Sequence, residues 1–439
     1  PSPVRPTIRL EQHMSSPSRR LVIVVRADPV ICGHSGEART LAEVALTRGF
    51  DDVRIVTWPL DTLRAARLPL KPLDAVTPYS DGITVERPDG VGDYKVPDGR
   101  FTSGMTGRLV ELFTDGVPTV CMSLYLTPHA TVVDDARRAA QSTGLPMHLT
   151  TIAEAVGSDI TNVVRSCVDA GHFGAAAHLF SSYLANDQSV AVSEYTRDII
   201  IGAATEIDAR HGTGFAERCR EQVVISYPAI DSGQYVGLND ATIEAALARR
   251  GLERDRYVLF LSRLSKAKGV DDLIAGFSRT RARHHVQLVV AGNGPEAVAL
   301  RQQAACSPAA HRITFLDDVD DEEKPALMAG SSAFALPSKP RPEFVETFGI
   351  ALVEKMLAGG GPVITCRTGG ITEAVGDHAI LVPHGSPHAI AEAIDHAVGG
   401  MTNAELRQRE AAARAFAMQF DRVNVFDRLI GAFESVVAA

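Results

Sequence analysis

Two glutamates, Glu346 and Glu354, stand eight residues apart in Pro342-Glu343-Phe344-Val345-Glu346-Thr347-Phe348-Gly349-Ile350-Ala351-Leu352-Val353-Glu354. The run reads as a loop entering a helix. A helix begun near Gly349 leaves the free backbone N–H groups of Phe348 and Gly349 pointing at an anion. Glu354, one to two turns further in, reaches a neighbouring hydroxyl, so one element could read both a phosphate and a sugar. Upstream, Leu261-Ser262-Arg263-Leu264-Ser265-Lys266-Ala267-Lys268-Gly269 follows an apolar run, which brings Arg263 and Lys268 out at the carboxyl end of a buried strand. Two fixed cations there can stabilise charge gathering on a diphosphate leaving group without a metal. Lys266 reads as solvated surface.

Positioning these groups requires strand ends that converge. Short β-rich runs alternate with amphipathic helical patterns along most of the chain, the pattern of a parallel sheet with crossover helices. It occurs twice. The first half offers strands at Leu21–Arg26, Val53–Thr57, Thr119–Ser123 and Ser189–Val192. The second offers Tyr257–Leu261, Gln287–Ala291, Ile313–Leu316, Ala333–Leu336 and Val363–Thr365. The expected fold class is α/β, with two Rossmann-like doubly wound domains facing a cleft lined by the carboxyl ends of both sheets. Gly233 to Asp240 breaks both periodicities and marks the hinge. The expected boundaries are 14–235 for the first domain, 236–252 for a linker and 253–420 for the second domain, with a crossover helix at 421–439 returning to the first. Phe416 and Phe420, four apart, suit a packed crossover. The Pro-, Asp- and Gly-rich segment from Arg67 to Phe101, with its one alternating stretch Ile83–Glu86, reads as an excursion from the sheet, either a surface loop or an acceptor-side β-arm.

Around the glutamates the sequence resembles glycosyltransferase family 4, retaining enzymes of GT-B fold with an E-x7-E element. The likeness continues through Glu354-Lys355-Met356-Leu357-Ala358-Gly359-Gly360-Gly361-Pro362-Val363-Ile364-Thr365 and Thr368-Gly369-Gly370-Ile371-Thr372-Glu373. By that resemblance Glu346 holds hydroxyls of a donor sugar, Glu354 the ribose, and Arg263 and Lys268 the diphosphate. Thr347, Phe348, Gly349 and Ile350 line the donor. Gly292 and Asn293, in the turn Val289-Val290-Ala291-Gly292-Asn293-Gly294-Pro295-Glu296, are placed near the nucleotide, while the residues alone allow a plain tight turn. Gly33-His34-Ser35-Gly36-Glu37-Ala38-Arg39, before a helix with Leu41, Val44 and Ala45 on one face, resembles the family's glycine loop and places Gly36 by the donor phosphate. A simple connection fits it as well. His129 falls where the family carries a His near the reacting carbon, and His34 and His172 compete for such a role. Ala191-Val192-Ser193-Glu194-Tyr195-Thr196-Arg197 matches a strand-to-helix segment, with Ser193 as N-cap and Arg197 and His34 as acceptor contacts. Pro228-Ala229-Ile230-Asp231 departs from the family's Asn-Gly-hydrophobic-Asp, which changes the turn.

Composition removes several classes. Of 439 residues, 45% are hydrophobic and 22% charged, ordinary for a globular chain, and the net charge of -9 argues against a nucleic-acid partner. No apolar run approaches the ~18–20 residues of a membrane helix. Cys32, Cys121, Cys167, Cys219, Cys306 and Cys366 are scattered without metal spacing, which fits a reducing cytoplasm and no bound metal. Residues 1–13 lack the apolar core of a secretory signal, and Met14 reads as a possible start. The expectation is a metal-independent hexosyltransferase with no cofactor beyond a UDP- or GDP-linked sugar as co-substrate. Its acceptor would be a small molecule such as an aminocyclitol or a thiol, as in antibiotic assembly, and a homodimer is compatible. A nucleotide-sugar epimerase, a lipid or polysaccharide acceptor, and a non-catalytic sugar-nucleotide-binding module are the alternatives.

Overall fold

A computed structural model describes residues 19–92, 99–342 and 344–437. In the first lobe β1 (Arg20–Val24), β2 (Asp52–Val56), β3 (Ile83–Glu86), β4 (Thr119–Leu124), β5 (Leu149–Ala155), β6 (Gln188–Ala191) and β7 (Val223–Ile225) pair in the order β3-β2-β1-β4-β5-β6-β7. In the second, β8 (Tyr257–Leu261), β9 (Gln287–Ala291), β10 (Ile313–Leu316), β11 (Ala333–Leu336), β12 (Val363–Cys366) and β13 (Ala379–Val382) run β10-β9-β8-β11-β12-β13. Both ladders are parallel throughout. Parallel sheets must be covered on both faces, and the strands show it. Leu21 and Ile23 of β1 enter one apolar cluster while Val22 and Val24 enter another. In each sheet the strand order reverses beside its first strand, at β1/β4 and at β8/β11, which is where open α/β sheets hold ligands.

Three features differ from expectation. Ile83–Glu86 is no arm but the edge strand β3, paired in parallel with β2 from Val53↔Ile83 to Val56↔Glu86. Only one side of an edge strand is paired and its side chains are half-buried or, at Thr84, exposed, so its apolar pattern is weak. The stretch expected as a linker, 236–252, contains the Asp240–Arg249 helix, whose Ile243, Ala246 and Leu247 are buried in the second-lobe core with Tyr257–Phe260. Strands β5, β7 and β13 had no counterpart in the sequence reading. β5 carries Thr150, Thr151 and Glu154 among its apolar residues, and β7 is three residues long.

The chain crosses between lobes twice, side by side. Ile230 bridges Asp421 in parallel: Ile230 N–H donates to Phe420 O at 3.0 Å and Arg422 N–H to Ile230 O at 2.8 Å. An Arg422–Asp231 ion pair at 3.0 Å closes the junction. The Arg422–Val437 helix then packs on the first lobe, with Val425, Phe426, Leu429 and Ile430 buried and Phe426 edge-on to Phe50 at 5.9 Å.

Below the first sheet's switch point, two buried carboxyl groups face each other: Glu37 on the Gly33–Leu46 helix and Glu154 at the end of β5. Glu37 accepts a hydrogen bond from Ala229 N–H at 3.2 Å. Burial pushes Glu37 up to about 7, and Glu154 goes well above the carboxylate range through burial and then the nearness of Glu37 and Asp159. A carboxyl whose folded pKa is raised contributes stability that is complete below the unfolded value near 4.5 and is lost as pH rises through about 7. Glu37→Gln keeps the acceptor for Ala229 and removes the charge. Its melting midpoint at pH 8 is expected to exceed the wild type's by about 2–4 °C, with no gain at pH 5; an equal gain at both pH values would show that Glu37 is not the group titrating.

Candidate active site between the lobes

The turn from Glu346 to Ile350, which leads into the Ile350–Ala358 helix, is held from both sides. Gly349 caps that helix at φ +105°, a conformation suited to glycine, and a Cβ there would lie 2.9 Å from Leu352. On the second-lobe side, Gly370 N–H donates to Glu346 O at 3.0 Å, and a Cβ on Gly369 or Gly370 would sit 2.0 Å from the carbonyls of Glu346 or Thr347. On the first-lobe side, a Cβ on Gly157 would lie 2.1 Å from the Thr347 methyl, and one on Gly33 would lie 3.5 Å from Ile350. Phe348 stacks on Tyr227 at 5.4 Å and meets Phe420 edge-on at 5.0 Å, and Phe416 extends the group to Phe420 at 5.7 Å. The helix is anchored from beneath by Lys355, whose buried ammonium donates to Met328 O at 2.7 Å, Ser331 Oγ at 2.8 Å and Gly359 O at 2.6 Å. The amino ends of the Gly33 and Ile350 helices therefore meet across the cleft, and each helix start leaves backbone N–H groups for an anion.

The charged groups divide into paired and open ones. Lys268 forms an ion pair with Glu346 Oε2, both side chains nearly buried, and Ser338 Oγ lies 3.4 Å from the same oxygen. Lys268 was expected on a diphosphate; in this state its charge is committed to Glu346. Arg263 is exposed, and among the described residues no ion pair engages it. Its loop is fixed by the next turn. A Cβ on Gly292 would lie 2.1 Å from Ser262 O and one on Gly294 2.4 Å from Leu264 O, while Leu264 N–H donates to Asn293 O at 2.8 Å. Gly292 and Asn293 thus support the Arg263 loop through their backbone. Glu354 is buried, and its Oε1 accepts from Tyr235 Oη at 2.7 Å and Lys324 Nζ at 2.5 Å. Neither partner was visible in the sequence: Tyr235 lies in the stretch read as hinge, and Lys324 belongs to none of the motifs.

On the facing wall the segments that follow β1, β2 and β4 bring together Arg26, His34, Trp58, Tyr125 and His129. His129 is buried, with Trp58 edge-on at 4.8 Å and Tyr125 at 5.9 Å; His34 lies 6.2 Å from Tyr125, and Arg26 lies over the Tyr125 ring at 5.3 Å. Burial first, then the Arg26 charge, brings His34 down to about 4 and His129 well below its ordinary value, so both imidazoles are neutral at pH 7. His34 Nδ1 and both ring nitrogens of His129 are buried without a protein partner. Asp159 braces the β4 exit by accepting Leu126 N–H at 3.1 Å and Gly157 N–H at 2.9 Å. The remaining expected residues are more peripheral. Gly36 is exposed with open space around it, and it is Gly33 that faces Ile350. Arg197 pairs with Glu194 at 3.1 Å on a helix capped by Ser193 Oγ. The same helix start is clasped from the second lobe by Glu373, which accepts from Glu194 N–H at 2.7 Å and Tyr195 N–H at 3.0 Å. His172 is exposed at the start of the Phe173–Leu184 helix and takes no place in the histidine group. Beyond Trp58, Asp28, Leu60, Val76, Tyr79, Val85 and Arg87 line a hollow of about 260 Å³.

Residues 243–414 match the family model described as glycosyl transferases group 1. A phosphatidyl-myo-inositol mannosyltransferase of Mycobacterium leprae is 32% identical over 209 residues, 46% of this chain and 53% of that protein. A D-inositol 3-phosphate glycosyltransferase of Corynebacterium glutamicum is 32% identical over 184 residues, 40% of this chain and 43% of that protein. The match thus spans about half the length of these curated relatives. Over nearly the whole chain the fold is that of an Anabaena protein, HepE, crystallised with UDP-glucose, with a TM-score of 0.69 at 18% identity, covering 95% of this chain and 99% of that one. The family-model match falls on the second lobe, and the two facing parallel-sheet domains are the GT-B fold.

Proposed function

We propose that this protein is a retaining, metal-independent glycosyltransferase that moves a hexosyl group from a UDP- or GDP-linked sugar to a small-molecule acceptor. The observation that carries the reading is the junction itself: an open Arg263, a Lys268–Glu346 pair and two helix starts converge at the switch points of two facing sheets. The crystallisation of HepE with UDP-glucose supports a nucleotide-sugar donor. The diphosphate lies against Arg263 and the start of the Ile350 helix, where oriented N–H groups and a fixed cation stabilise the charge that develops as the glycosidic bond breaks. Lys268 transfers from Glu346 to the phosphate, which frees the Glu346 carboxylate to accept from sugar hydroxyls. Glu354, held through Oε1 by Tyr235 and Lys324, presents Oε2 to the ribose.

The acceptor occupies the first-lobe wall near His129. Attack comes from the face the leaving group vacates: the acceptor oxygen or sulfur bonds to the anomeric carbon, the bond to the β-phosphate oxygen breaks, and that oxygen takes the acceptor proton. Configuration is then kept without a protein nucleophile. A cyclitol-like acceptor of the aminocyclitol kind agrees with the inositol compounds named for both curated relatives, and a thiol is the other candidate. An antibiotic pathway would supply either one.

Glu346→Gln is expected to lower transfer by about 10²-fold or more while the melting midpoint holds; wild-type turnover in this variant would remove Glu346 from the site. Arg263→Ala is expected to weaken UDP or GDP binding by roughly tenfold in calorimetry, and unchanged affinity would rule out its contact with the diphosphate.

A further inference from the structure

Most arginines around the first sheet are matched to carboxylates, and Arg87, which is not, donates to Trp58 O at 2.7 Å and to Asp28 O. Arg20 pairs with Asp52 and Asp115, Arg39 with Asp28, Arg54 with Asp52 and Glu86, and Arg108 with Glu86. Arg26 is different. It leaves β1 at the carboxyl end, at the switch point, and is half-buried. Among the described residues its guanidinium has no ion pair, and it lies over the face of Tyr125 at 5.3 Å. In a chain of net charge -9, a half-buried cation without a carboxylate partner is costly unless an anion arrives from outside.

The nearby acids do not supply that anion. Asp28 Oδ2 is taken by Arg39 at 2.8 Å and Tyr79 Oη at 3.0 Å, and burial pushes the Glu154 carboxyl up, against its charged form. Unsatisfied nitrogens, in contrast, lie beside Arg26, and each neutral imidazole keeps one N–H to donate. His34 and His129 flank the same Tyr125 ring, and three of their ring nitrogens are buried with no protein partner. Such nitrogens are usually satisfied, so their grouping around an unpaired guanidinium points to a ligand. The first turn of the Gly33 helix, which contains His34, carries no acidic residue.

We propose that Arg26, together with the imidazoles of His34 and His129, forms a subsite for an anionic group, a phosphate monoester or a carboxylate, carried by the acceptor. The assignment to the acceptor rests on the glycosyl-transfer reading; the anion site itself does not. It stands on the first lobe, opposite the Arg263 and Lys268 that serve the donor. Arg26 grips the anion through paired N–H groups, a geometry a guanidinium offers and an ammonium does not. Holding that group fixes which hydroxyl or thiol of the acceptor turns toward the donor.

The test titrates inorganic phosphate, and separately acetate, into the full chain saturated with whichever of UDP and GDP it binds, by calorimetry. One of the two anions is expected to bind alongside the nucleotide. Arg26→Gln should weaken that binding at least about tenfold and Arg26→Lys should recover part of it, with melting midpoints like the wild type's. Anion affinity unchanged in Arg26→Gln would overturn the proposal, as would binding that nucleotide abolishes, since the anion would then belong to the diphosphate locus. If neither nucleotide binds, the glycosyl-transfer reading falls, and the same titrations on the nucleotide-free protein still decide the anion site.

Discussion

The short turn from Glu346 to Ile350 can lie where it does because glycines on both lobes leave room for it. Gly369 and Gly370 pass beneath its carbonyls, and Gly157 and Gly33 receive Thr347 and Ile350 from across the cleft. Any side chain at Gly157, Gly369 or Gly370 would have to displace backbone or a packed methyl, so the approach of the two lobes is set by contact rather than by the length of the hinge. Phe348 carries the same constraint into the crossover, where it packs with Tyr227 and Phe420. The helix start that can hold an anion, the hinge and the returning last helix are parts of one packed unit.

Electrostatics follow from that packing. Glu346 and Glu354 are both largely withdrawn from water, and each is matched by a lysine, Lys268 and Lys324. Breaking a buried pair leaves an uncompensated charge, so a ligand that draws Lys268 away must offer negative charge to the lysine and hydroxyl donors to the carboxylate. A sugar bonded to a diphosphate offers both from one molecule. The first-lobe wall has the complementary character: neutral imidazoles, carboxyls pushed by burial toward the uncharged form and an unmatched guanidinium, suited to a smaller polar partner.

Much of the second lobe was legible because its signals are local. β8, β9 and β11 are continuous apolar runs, and the Glu346–Glu354 spacing, the Gly349 cap and the Gly369-Gly370 turn lie within one stretch of chain. What escaped depends on distant contacts. β3 is marked by its pairing with β2 more than by its own residues, and β5 hides its strand character behind Thr and Glu side chains that are buried only because other elements cover them. The Asp240–Arg249 helix has apolar residues at helical spacing, Ile243, Ala246 and Leu247, but the Gly- and Asn-rich run before it suggested a linker. Lys324, Tyr235 and Arg26 gain their roles from partners 30 to 119 residues away, or from the lack of one, and no short motif announces that.

The central physical claim is that this two-sided turn and the Arg263 loop grip a pyrophosphate between the lobes. A crystal structure of the protein soaked with UDP or GDP tests it most directly. The pyrophosphate should lie within hydrogen-bond reach of Arg263 and of the backbone N–H groups that open the Ile350 helix, with Lys268 turned from Glu346 toward it. Nucleotide bound elsewhere, with that crevice empty and the Lys268–Glu346 pair intact, would contradict the claim.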